Sequence, residues 1–110
     1  MAARLSIPEQ VWESPPMTYV LKLFVTGKSP RAEVAIANIR RICEEELKGQ
    51  YSLDIIDVLE HPEEAENERI LATPTLIKQL PPPLRRLIGD LTNKEKVLYG
   101  LAVRPESDEQ

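Results

Sequence analysis

At 110 residues the chain is the size of one domain, and a hydrophobic content of 42% suffices for a modest core. Fourteen basic and eighteen acidic side chains give a net charge of −4, which disfavours nucleic-acid binding. A single cysteine, Cys43, and a single histidine, His61, exclude a disulfide framework, a Cys-x-x-Cys pair, a zinc site and a histidine-based triad.

No catalytic signature, cofactor motif or metal-ligand cluster appears, so the chain is expected to be no enzyme and to carry no cofactor. No apolar run approaches the ~20 residues that a membrane span needs. The N-terminus lacks the basic start and apolar core of a secretory signal. A cytoplasmic protein with no membrane partner is expected.

Residues 1–17 read as an extension, because Pro8, Pro15 and Pro16 interrupt any regular element. The domain then spans 18–103, and 104–110 form a short acidic tail. Residues 19–26 predict a strand whose apolar side chains fall on both faces, as in a central strand covered on both sides. Gly27 and Lys28 turn the chain. Ser29 and Pro30 open a helix as N-cap and first helical residue. Ala32, Ile36, Ile39, Cys43 and Leu47 recur on one helical face, so Cys43 is expected in the core. Gly49 fits the helix stop. Residues 51–59 predict a second strand, and strand, helix and strand together make a parallel βαβ unit.

Pro62 starts a weaker, acidic helix expected to run to about Leu71, with Ala65, Ile70 and Leu71 as a thin apolar face. Thr73-Pro74-Thr75 enters a third strand over 75–80, and that entry fits a cis peptide bond. Pro81, Pro82 and Pro83 set a rigid turn, and 84–88 predict a fourth strand. Thr92 to Glu95 reads as a capping box for a last helix with Val97, Leu98 and Leu101 on its apolar side. The order βαβαββα is a thioredoxin-like α/β arrangement. The C-terminal half is locally ambiguous. Residues 85–88 suit a helical turn as well as a strand. Residues 96–103 suit a strand as well as a helix, since Gly100 weakens a helix by about 1 kcal/mol and Val97, Tyr99 and Val103 favour strands.

Charge is segregated along the chain. Ten acids lie from Glu44 to Glu68, whereas bases predominate from Lys78 to Arg104. Such polarity suits protein contacts or self-association.

These residues resemble the KaiB family of circadian clock proteins. The resemblance rests on Tyr19 to Leu23, Ile56 to Leu59, Ile70 to Leu76, Leu80 to Pro83, Arg85-Arg86, Ile88 to Leu91 and Asn93 to Leu98. It implies a metamorphic protein. One state is a thioredoxin-like monomer that binds the N-terminal ATPase ring of a KaiC-type protein. The other is a resting homotetramer in a βαββααβ fold. It further implies KaiA and a clock sensor kinase as partners where they are present. The fold-switch positions carried over are Pro74, Pro81, Pro82, Pro83 and Gly100. The partner-binding positions are Ala65, Arg69, Ile70, Leu71, Thr73 and Pro74, and Arg85 and Arg86 are expected at an oligomer or partner interface. Val34, Asp54 and Ala102 depart from the family pattern. A stress-related adaptor with this fold, independent of KaiC, is the alternative reading. A thioredoxin-type redox enzyme fails on chemistry, because Gly27 to Pro30 offers no thiol where one is needed.

Overall fold

The computed structural model of the chain describes residues 18–89 and 91–103. The expected N-terminal extension, the acidic tail and Asp90 lie outside the described residues. The elements run β1 (Tyr19–Val25), α1 (Pro30–Ile42), β2 (Tyr51–Asp57), α2 (Pro62–Asn67), β3 (Thr75–Leu80), β4 (Arg85–Ile88) and α3 (Lys94–Gly100). The succession is βαβαββα, the thioredoxin-like one of the two arrangements expected. The four strands form one sheet in the order β2-β1-β3-β4. β1 runs parallel to β2, with Tyr19 opposite Tyr51 and Val25 opposite Asp57. It runs antiparallel to β3, and β3 antiparallel to β4.

The period-2 geometry of β1 sends its apolar residues to two different cores. Leu21, Leu23 and Val25 join Ala32, Ala35, Ile39, Ile42 and Cys43 of the first helix and Val97 and Leu101 of the last. Phe24, completely buried, faces the other way with Ile56, Ile77 and Ala65 of α2. Helices α1 and α3 therefore cover one face and α2 covers the other. The second core is much the smaller.

Local chemistry fixes the helix ends. The Ser29 hydroxyl accepts the amide of Ala32 at 3.1 Å, with Pro30 in the first turn, as the sequence predicts. The helix widens to π geometry over Cys43–Leu47. It then stops on two left-handed residues, Lys48 (φ 50°) and Gly49 (φ 84°), rather than on the glycine alone. In α3 the cap is Asn93, whose side chain accepts the amide of Lys96 at 3.0 Å. The capping-box reading, with Thr92 as the cap, is thus displaced by one residue. Two other boundaries move. The second strand ends at Asp57, because the Asp57 carboxylate turns back to accept the amides of Gly27 and Leu59, each at 2.9 Å. Helix α2 ends at Asn67 instead of about Leu71, for reasons given below.

Lys78 is the main surprise of the core. It belongs to the basic C-terminal stretch of the sequence, yet it is 1% exposed. It stands opposite Leu21 on β1 and Arg85 on β4, on the same sheet face as Leu76. No carboxylate among the described residues pairs with it. Burial, and secondarily the neighbouring Arg85, pull its pKa below the ordinary 10.5. Cys43, by contrast, lies where the helical periodicity puts it. Burial foremost and then Glu44 push its thiol up to about 12, so little thiolate exists near neutrality.

Replacing Lys78 by Met should stabilise the fold by about 1–2 kcal/mol, since an unpaired buried charge is exchanged for apolar volume. The check is the urea midpoint. Between the depressed native pKa and 10.5 the unfolded chain binds more protons than the native one, so wild-type stability rises with pH in that alkaline window. The Lys78→Met variant should lose this rise. Cys43 should resist a thiol reagent at pH 8 in the native protein and react fully in denaturant; rapid native labelling would contradict its burial.

Candidate partner-binding surface

The segment that follows α2 is shaped by its backbone. The amide of Ile70 donates to the carbonyl of Ala65 at 2.9 Å, and that of Arg69 to the carbonyl of Glu66 at 3.0 Å. This is the hydrogen-bond pair of a Schellman motif, with Arg69 left-handed at φ 57° just past the helix. The motif ends the helix before Ile70, which explains its early stop. Ile70 then folds back onto Ala65 in the small core. Leu71, one residue on, is 92% exposed. The expectation that Leu71 lies on the apolar face of the helix is therefore corrected: it projects from the surface. Arg69 is exposed beside it.

A glycine is the favoured residue at such a left-handed position. Any L side chain there costs roughly 1–2 kcal/mol. Two long side chains pin the segment from below. On β1, Lys22 Nζ lies 3.5 Å from Glu68 Oε2 and 3.8 Å from Glu64 Oε2. On β4, the Arg86 guanidinium donates through Nη2 to the carbonyl of Glu68 at 2.7 Å and through Nη1 to that of Arg69 at 3.2 Å. Both acceptors are carbonyls left unpaired where the helix ends, at the negative pole of its dipole.

The segment continues into β3. Thr73 is half-buried, and its hydroxyl lies 2.6 Å from that of Thr26 in the loop after β1. Pro74 is buried, follows a cis bond, and accepts the amide of Gly89 through its carbonyl at 3.1 Å. The Thr75 hydroxyl donates to the carbonyl of Ala72 at 2.6 Å. The structure thus gathers Ala65, Arg69, Ile70, Leu71, Thr73 and Pro74 along one continuous stretch, with Arg86 beneath it. Pro81, Pro82 and Pro83 lie at the opposite end of β3, in the turn to β4, where the bonds into Pro81 and Pro83 are cis. Arg85 is exposed on the sheet face away from Arg86. Gly100 has ordinary helical backbone. A Cβ there would come within 2.9 Å of Leu87 Cδ1, so the glycine lets α3 lie close on β4.

Near Pro74 a shallow groove of about 370 Å³ runs along the start of α1, lined by Pro30, Arg31, Val34 and Leu91 among others. The loop beside it, held by Asp57, carries no cysteine. The two amides of Gly27 and Leu59 keep the Asp57 carboxyl below its usual range, so it is a fixed acceptor rather than an acid. A hollow on the α2 face is lined by Lys22, His61 and several glutamates. No helix among the described residues is long and apolar enough to cross a membrane. Sequence reasoning missed the parts played by Lys22, Asp57, Glu68 and Arg86. Apart from the local Asp57 to Leu59 bond, the contacts are long-range and leave no local pattern, and a left-handed arginine has no sequence signal at all.

Comparison with known proteins agrees with this geometry. The family model described as the KaiB domain matches residues 22–103. The chain is 63% identical over 87 residues to the circadian clock protein KaiB3 of Synechocystis sp., covering 79% of this chain and 85% of that protein. It is 58% identical over 84 residues to the circadian clock oscillator protein KaiB of Thermostichus vulcanus, covering 76% and 78%. Among solved structures, the N-terminal domain of Synechococcus elongatus SasA superposes with a TM-score of 0.65 at 27% identity, over 78% of this chain and 85% of that one. Mitochondrial thioredoxin 3 of Saccharomyces cerevisiae superposes at 0.62 with 16% identity over 77% of each chain, a likeness of fold alone. The KaiB3 and KaiB relatives are named for the clock and not for an enzymatic activity, and on the family model and these identities the chain belongs to the KaiB family.

Proposed function

We propose that this protein is a non-enzymatic clock regulator that binds the N-terminal ATPase ring of a KaiC-type protein and modulates its phosphorylation state. Binding uses the thioredoxin-like form, reached by a slow switch from a resting homotetramer with the βαββααβ fold. KaiA and a clock sensor kinase are further partners where the cell has them, and the setting is the cytoplasm. The contact surface is the stretch from Ala65 to Pro74, with Arg69 as its charged group and Leu71 as its apolar one. Arg85 belongs to an oligomer or partner interface, and Pro74, Pro81, Pro82, Pro83 and Gly100 belong to the switch.

The observation that supports this reading best is Arg69. A residue that occupies a glycine-favoring conformation at a cost, with its side chain in solvent, has a use that stability does not explain. Leu71 adds an apolar side chain that is almost wholly in water. Together they offer a partner one cation and one aliphatic anchor from a turn held on two sides.

Arg69→Gly separates fold from function. It should stabilise the thioredoxin-like form by about 1 kcal/mol, because glycine relieves the left-handed cost. It should weaken binding to the KaiC-type ring by roughly tenfold, or about 1.4 kcal/mol. Urea unfolding of the monomeric fraction and native mass spectrometry of the mixture over a day read the two effects. Leu71→Ser should weaken binding to a similar degree with unchanged stability. If both variants bind as the wild type does, the surface is misplaced. If the wild type itself stays tetrameric and unbound, the KaiC-independent adaptor becomes the better reading.

A further inference from the structure

We infer that Arg86 is a positioning residue for this surface, holding the Arg69 turn in its binding shape from the neighbouring strand without itself touching the partner. The inference rests on the reading of the Ala65 to Pro74 stretch as the contact surface. It departs from the expectation that Arg86 is itself an interface residue.

Three observations converge. The guanidinium of Arg86 is engaged within the chain, donating to the carbonyls of Glu68 and Arg69 at 2.7 and 3.2 Å. Those two carbonyls flank the one left-handed residue of the turn, Arg69 at φ 57°. The turn has little burial to hold it, since the core beneath it contains only Phe24, Ile56, Ala65 and Ile77 as fully covered members. A planar guanidinium with two parallel donors fixes both the distance and the tilt between two carbonyls. An ammonium satisfies one acceptor as a point charge and fixes neither. Arg86 also lies on β4, hydrogen-bonded to β3 through the Ile77 to Arg86 register, so the clamp transmits the rigidity of the sheet to the turn. Its neighbour Arg85 points to the other face and makes no such bond. The adjacent arginines therefore do different work.

The test uses the full chain and the KaiC-type ATPase ring, with Arg86→Lys as the charge-preserving variant and Arg86→Ala beside it. In the monomeric, thioredoxin-like fraction of the protein, separated from the tetramer by size exclusion, hydrogen exchange of the Ile70 amide reports the turn directly, because that amide closes the Schellman motif on Ala65. Arg86→Lys should speed that exchange about tenfold while core amides in β1 stay protected. It should also weaken ring binding about tenfold, as much as Arg86→Ala does, since hydrogen bonds from a charged group are of that worth. Adding Arg69→Ala to Arg86→Lys should cost little more, because both changes disable the same contact.

Binding by Arg86→Lys at wild-type strength, with Arg86→Ala alone impaired, would mean that Arg86 meets the partner through its charge, and the inference falls. Full additivity with Arg69→Ala would also overturn it. Unchanged Ile70 exchange in both variants would remove its structural basis. If neither Arg69→Gly nor Leu71→Ser alters binding, the contact surface is wrong and the inference falls with it, whatever the exchange shows.

Discussion

Burial of β1 on both faces is the constraint from which the rest of the architecture follows. Leu21, Leu23 and Val25 point into one core and Phe24 into the other, so this strand has to be interior to the sheet and has to have helices on both sides. Its two edges are then taken by β2 in parallel and β3 in antiparallel register. The parallel pair needs a crossover, which α1 supplies. The antiparallel pair leaves β3 leading through the prolines directly into β4. The two faces are unequal, however. One carries two helices and most of the buried hydrophobic residues. The other carries the single short helix α2. The surface proposed for partner binding sits on that thinly packed side, where polar pins from Lys22 and Arg86 do work that hydrophobic burial does elsewhere.

Part of the charge on the chain is consumed within the fold. Lys94 at the start of α3 pairs with Glu46 at 2.7 Å and Glu45 at 3.0 Å, closing the end of the first helix onto the last. Those hydrogen bonds raise the Lys94 pKa and lower that of Glu45. Lys22 takes Glu64 and Glu68 in the same way. Exposed pairs of this kind contribute little to stability individually. Their value here is orientation: one sets α3 against α1 and the other sets α2 against β1. The glutamates that remain on α2, Glu63 and Glu66, are exposed a few residues before Arg69, so a partner that meets this stretch has to accept acidic neighbours along with the arginine.

How much of this was legible in the sequence depended on the range of the interaction. The two-faced β1, the Ser29-Pro30 helix start, the buried Cys43 and the cis bond before Pro74 each have a local pattern, and each stands where that pattern puts it. Helix α2 is different. Its apolar set of Ala65, Ile70 and Leu71 is too sparse for periodicity to mark an end, and the end is made by a backbone motif whose key residue is an arginine where a glycine would have announced it. Lys78 misled for a related reason. In an alternating strand a lysine reads as solvent-facing, but β3 is interior and flanked by Leu21 and Arg85, so position in the sheet overrides side-chain character. The Arg86 clamp joins residues 17 and 18 positions apart and no window on the sequence contains it.

The costs in this fold are not evenly spread. Through Asp57 the chain is conventional: a satisfied N-cap, a filled helix face, and a left-handed Lys48 followed at once by the glycine that such a stop favours. After Asp57 come Arg69 at φ 57°, Ala102 at φ 58° and the unpaired Lys78. The first two are L residues at helix ends where glycine is preferred, since Ala102 and Val103 close α3 on Tyr99 and Leu98 just as Arg69 and Ile70 close α2. Each costs on the order of 1–2 kcal/mol, against a domain stability of roughly 5–15 kcal/mol. Two packings of one sequence that interconvert have to lie within a few kcal/mol of each other. Under the proposed switch, these three residues lower the stability of the thioredoxin-like packing of the second half toward that range, while the βαβ half carries one comparable cost, the left-handed Lys48. Under the proposed function Arg69 would serve twice, as the contact that the bound form presents and as part of the reason that form is not held too firmly.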